Sequence, residues 1–166
     1  MDKVFLAFVS CCMLAAATMP VQAFTAKSLT ITLAPDGDAT LDMHYELSFI
    51  EESAVFLKMA DPAEELKNAF DTHSSSPVTV PSATDTTARV LIPGFADLTR
   101  SGSNIMMTTP SLSFARAQDV VNSYWFAPLV SPDFSPGITT VIFPDGHRDT
   151  YYDVLTVPSV SHPLKP

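Results

Sequence analysis

The chain has 166 residues, 46% of them hydrophobic, and its 9 Lys and Arg against 18 Asp and Glu give a formal net charge of −9. That balance argues against a nucleic-acid partner, and the scattered Arg89, Arg100, Arg116 and Arg148 form no polybasic patch for anionic lipid. The length suits one domain with a core of its own.

In chain order, the first element reads as an export signal. Asp2 and Lys3 precede an apolar run over 4–17 broken only by Ser10, and Pro20 stands before the small-residue cleavage pattern Val21-Gln22-Ala23. The run is shorter than the roughly 20 residues that a transmembrane helix needs, and nothing comparable recurs downstream. Cleavage after Ala23 is therefore expected, leaving a single extracytoplasmic domain over 24–166, secreted or at the cell surface, with no membrane span. An uncleaved anchor and a lipid-bearing Cys11 are the competing readings, and Phe8-Val9-Ser10 is a poor lipidation box. Cys11 and Cys12 depart with the leader, so the mature chain is expected to be free of disulfides. Losing Asp2 and Lys3 leaves the net charge at −9.

A hairpin follows. Leu29, Ile31 and Leu33 alternate with Thr30 and Thr32, Pro35-Asp36-Gly37-Asp38 makes a turn, and Leu41, Met43, Tyr45, Leu47 and Phe49 return on one face with Asp42, His44, Glu46 and Ser48 on the other. Residues 51–59 then read as a helix carrying Ala54 and Leu57 on one stripe. A second helix is predicted over 61–70, where Asp61-Pro62-Ala63-Glu64 supplies a cap, a first-turn proline and a capping glutamate. Val78, Val80 and the segment 90–93 suggest strands, with Pro77, Pro81 and Pro93 at edges or turns. After the loop 101–104 and a strand over 105–109, Ser113 is expected to cap a third helix over 113–125 that buries Phe114, Ala117, Val121, Tyr124 and Trp125.

The proline-rich stretch 127–137 reads as an extended connector. Trp125, Phe126 and Phe134 could line a ligand or partner groove there, or could pin the connector to the core. A second Pro-Asp-Gly hairpin closes the domain, running from 139–143 through Pro144-Asp145-Gly146-His147 to 148–155. The expectation is an α+β fold, with antiparallel hairpins carrying about three short helices on one side.

Chemistry-bearing patterns are sparse. There is no Gly-x-Ser-x-Gly nucleophile elbow, no phosphate loop and no dinucleotide fingerprint. Asp36, Asp38 and Asp42 lack the glycine and terminal glutamate of a calcium loop, and a hairpin tip accounts for them better. His44, between Asp42 and Glu46 on one strand, together with His147 and Asp149 on another, makes a two-strand metal site geometrically conceivable without a third ligand being identified. No cofactor is called for.

The runs Asp36-Gly37-Asp38-Ala39-Thr40, Ala54-Val55-Phe56-Leu57, Ala60-Asp61-Pro62-Ala63-Glu64-Glu65-Leu66, Tyr124-Trp125-Phe126-Ala127-Pro128-Leu129 and Ser131-Pro132-Asp133-Phe134-Ser135-Pro136 resemble uncharacterised exported proteins of methanogenic archaea. The resemblance implies an extracytoplasmic setting and carries no activity. The function expected is a non-catalytic interaction or structural module with a protein or envelope partner, self-association included. A secreted hydrolase or metal-dependent enzyme using His44, His147 and nearby carboxylates is the alternative.

Overall fold

The computed structural model describes residues 22–46, 77–102, 104–115 and 131–164, with the isolated positions 67 and 119. Strand β1 (Gln22–Leu33) pairs with β2 (Ala39–Glu46) in the first hairpin. The pattern written in β2 is the one that the sequence announces. Ala39, Leu41, Met43 and Tyr45 are buried, while His44 and Glu46 between them are exposed and Asp42 is half-buried. The following strands β3 (Thr79–Ala83) and β4 (Thr87–Ile92) extend the sheet beyond β2.

Four short strands come next: β5 (Asp97–Ser101), β6 (Asn104–Thr108), β7 (Leu112–Ser113) and β8 (Ser131–Asp133). Strands β9 (Ile138–Ile142) and β10 (Arg148–Tyr152) form the second Pro-Asp-Gly hairpin, and β11 (Thr156–Val157) and β12 (Ser161–Leu164) end the described chain. The large sheet runs β10-β9-β1-β2-β4-β3, with β8 also paired to β1. Its two hairpins thus lie side by side, joined by a parallel seam in which Leu29 faces Thr139 and Ile31 faces Val141. A parallel neighbour needs a long crossover. Here the connection from β1 to β9 spans residues 34–137 and includes three further strands of the same sheet, β2, β3 and β4, as well as β8.

The inner face of the large sheet is Leu29, Ile31, Leu33, Leu41, Met43, Val90, Ile92, Val141 and Phe143, all buried. Full burial of each Leu, Ile, Val or Phe side chain is worth roughly 1.5–3 kcal/mol, so this face dominates the stability. The same cluster takes in Met107 of β6, Leu112 of β7, Phe114 and Val157 of β11. Strands β5, β6 and β12 form a three-stranded sheet in the order β12-β6-β5, and β7 and β11 form a two-stranded one. The core is therefore covered from small β-sheets.

This corrects the expected α+β class with its three helices. Of the described residues about 61% are in strands and 3% are helical, and no helix is defined among them. The third expected helix shows why. Leu112 and Ser113 sit opposite Val157 and Thr156, and the Phe114 N–H donates to the Leu155 carbonyl (3.0 Å), so Leu112 and Phe114 enter the core by alternation along a strand. Ser113 still makes the local contact of a cap, its Oγ accepting the Ala115 N–H at 3.4 Å, and positions 115 and 119 are helical. The remainder of 113–125 and the expected helices over 51–59 and 61–70 lie outside the described residues, apart from position 67.

Candidate functional site

Both hairpins turn on the same five-residue device. At the second tip the Gly146 N–H donates to the Phe143 carbonyl (2.9 Å) and the Phe143 N–H to the His147 carbonyl (2.9 Å), with Gly146 at φ 86°. Asp145 steadies the bend by accepting the His147 N–H on Oδ1 (3.1 Å). Pro at the first corner, Asp next and Gly in the left-handed position are the residues that a type I turn with a following bulge demands. Ala34, Asp36, Gly37 and Asp38 repeat these bonds at the first tip, where Gly37 has φ 94°.

On the second tip stands a cluster of four ionisable side chains. His162, from β12, places Nε2 2.8 Å from Asp145 Oδ2, and both side chains are nearly enclosed, at 13% and 10% exposure. His147 Nε2 lies 3.4 Å from Asp149 Oδ1 at the start of β10, in a more open setting. The two imidazoles stack face to face, 4.0 Å between centroids and 4° from parallel, and Phe143 flanks both rings at 4.8 and 5.8 Å. His147 and Asp149, two residues of the conceivable metal site, thus lie side by side, together with His162 and Asp145 and without His44. His162 carried no usable signal, because it sits in a short proline-flanked tail whose partner strand lies far upstream.

His44 is elsewhere. It is exposed on β2 opposite Ser28 and Thr87. Two strand spacings and five residues of rise separate it from the second tip, about 10 Å sideways and about 16 Å along the strands. Among the described residues no group of three or more His, Cys, Asp or Glu is arranged to hold a metal ion. The stacking accounts for this at the tip, since each Nε2 is directed to its own carboxylate. The aspartates of the first tip are likewise engaged one by one: Asp36 holds the turn, Asp38 Oδ1 accepts the Gly94 N–H (2.8 Å), and Asp42 pairs with Arg89 (2.6 Å). That hydrogen bond to Asp42 and the carboxylate's charge raise the Arg89 pKa further.

Of the aromatic candidates, Trp125 and Phe126 lie outside the described residues. Phe134 is buried and stacks on Phe24 (4.6 Å), which in turn meets Tyr45 (5.3 Å), so it pins the connector to the core. The Tyr45 hydroxyl donates to the Thr84 carbonyl (2.5 Å), and burial, then the charge of Asp85, push its phenol above the ordinary value. Ala23, the expected cleavage residue, falls within β1, whose neighbouring Gln22 is in register with Ser131.

A second feature adjoins the tip cluster. Strand β10 has β9 on one side and, among the described residues, no strand on the other. Its five residues pair with β9 without a bulge, from Arg148↔Ile142 to Tyr152↔Ile138. The last pair is apolar and open, with Tyr152 67% and Ile138 38% exposed. Burial, then Asp149, raise the Tyr151 pKa. The other strand ends of the sheets are guarded differently: β3 carries Pro81 and a register break, β12 carries Pro163, and β5 carries Asp97 and Arg100.

No protein-family model, curated protein or solved structure matches the chain.

Proposed function

We propose that the protein is an exported, non-catalytic interaction module that presents a strand edge to a partner outside the cytoplasm. The observation that carries this reading is the edge of β10, where a regular five-residue strand lies next to the exposed Tyr152–Ile138 pair. A row of open backbone donors and acceptors gains its hydrogen bonds from an added strand, and an apolar pair beside it rewards the burial. The leader-like start of the sequence, ending in Val21-Gln22-Ala23, supports the extracytoplasmic setting. The partner is accordingly a protein or envelope component that offers an extended segment.

The test is fractionation of the native cells with intact-mass measurement of the chain in each fraction, followed by cross-linking. The expected result is a chain beginning at Phe24 in the envelope or medium, cross-linked through 148–152. A full-length chain confined to the cytoplasm overturns export. Cross-links that avoid 148–152 overturn the edge.

A further inference from the structure

We infer that the occupant of the β10 edge is the β10 edge of a second copy of this chain, paired antiparallel about Thr150 to make a closed dimer. The inference rests on the reading of β10 as an interaction edge and goes beyond it by naming the partner and the register.

Self-complementarity is the argument. A two-fold axis perpendicular to the sheet keeps each face on its own side, so only residues of the same face can stand opposite one another. Arg148, Thr150 and Tyr152 share the outer face with Ile142, Thr140 and Ile138, and Asp149 and Tyr151 share the inner one. With the axis at Thr150, Arg148 stands opposite Tyr152 of the second copy, Asp149 opposite Tyr151, and Thr150 opposite Thr150. The guanidinium can lie over the face of an exposed ring, the carboxylate meets a phenol that can donate to it, and two hydroxyls meet each other. None of these pairs sets like charges together.

The register centred on Asp149 does, because it puts that carboxylate against its own copy. Moving the axis to Tyr151 instead runs the ladder off the end of β10 at Asp153, which leaves the strand at φ 51°, so only Thr150, Tyr151 and Tyr152 stay paired. Repulsion on one side and a shortened ladder on the other favour the register about Thr150. At the opposite end of the large sheet, Pro81 and the register break in β3 withhold a regular ladder. A head-to-tail β10–β3 contact is thereby disfavoured, and assembly stops at two copies. An interface of one five-residue strand pair is small, so the dimer is a concentration-dependent one, and salt strengthens it by screening the −9 on each copy.

The experiment is sedimentation of the whole chain, in the form that cells accumulate, across a concentration series, with hydrogen exchange of the 148–152 amides recorded alongside. The expected result is a monomer–dimer equilibrium in which protection of those amides rises with concentration. Tyr152→Lys, which sets an ammonium opposite Arg148 of the second copy, should raise the concentration for half-dimerisation by about tenfold, because the pair occurs twice by symmetry. Adding Arg148→Glu should restore dimerisation, a rescue that only the register about Thr150 provides. Both positions are exposed, so folding is not at stake. A strict monomer whose β10 amides exchange freely in the purified protein and become protected in the envelope fraction overturns the second copy and leaves the edge reading intact. Protection already complete in dilute monomer overturns both, since the chain itself would then cover the edge. A dimer indifferent to both substitutions overturns the proposed register.

Discussion

The two hairpin tips use one turn and meet different fates. At the first, Gly37 is buried and its carbonyl accepts the Ala96 N–H (2.8 Å), while Asp38 holds the Gly94 N–H; the tip is locked to the chain entering β5 mainly through backbone groups. At the second, Gly146 is exposed and the docking onto β12 runs through the His162, Asp145 and His147 side chains. Both tips thus reach the three-stranded sheet, one at each edge strand. The difference arises from a one-residue offset. Leu33 and Phe143 lie level on the inner face, yet the first turn begins at Ala34 and the second at Phe143 itself, so identical turns offer opposite sides to the core. Turn chemistry dictates the bend, and the register of the parallel seam decides what the bend touches.

The largest expected break in this comparison is Gly37→Ala against Gly146→Ala. Both require a positive φ that L residues resist, but a Cβ at Gly37 collides with the Ala96 carbonyl whereas one at Gly146 meets nothing within 4 Å. Denaturant unfolding should show a loss of about 3 kcal/mol or more for the first and about 1 kcal/mol for the second. Equal losses would erase the distinction between the tips. Next comes His162→Ala, which removes the stacked ring and the partner of Asp145. It should cost about 1–2 kcal/mol and, in hydrogen exchange, loosen β12 before the large sheet. Uniform loosening would mean that the small sheet has no independence.

Tyr45 sharpens the contrast from the far end of the first hairpin. Tyr45→Phe should cost about 1 kcal/mol by leaving the Thr84 carbonyl without that donor. The phenol's pKa is raised from 10.0 in the fold, so its contribution is fully present below about pH 10 and is lost as the unfolded chain ionises while the native one resists. Melting temperature should therefore fall more steeply above pH 10 for the parent than for Tyr45→Phe. The smallest effect is a gain. Thr139 sits level with Leu29 across the seam, fully buried, and its Oγ1 has no hydrogen-bond partner among the described residues. Thr139→Val should stabilise by about 1 kcal/mol, and a loss instead would reveal a partner for that hydroxyl.

The hairpins were legible in sequence because each carries a Pro-Asp-Gly turn that needs no distant partner, and the first adds a period-2 alternation of apolar and polar residues. The covering layer was not legible. Strands of two to five residues such as β7, β11 and β12 are too short to show a period, and they exist because of neighbours far along the chain: Ser113 answers to Thr156, Met107 to His162. Ser113 misled for a physical reason, since its hydroxyl does receive the Ala115 N–H as a cap would. At the tip, His147 and Asp149 were visible as a local pair two residues apart. His162 and Asp145 become neighbours only when the small sheet closes on the large one.

The parallel seam between β1 and β9 also sets a timetable. Strand β1 is made well before β9, and one side of it stays open along 28–32 in the meantime, because Ser28 to Thr32 wait for Ile138 to Ile142. Every nascent or truncated chain lacking β9 carries a bare central strand with an apolar face beside it, the species most apt to stick to its own kind. The large sheet can consequently close only after residues 138–142 have been made, and until then the open side of β1 is the edge most exposed to aggregation.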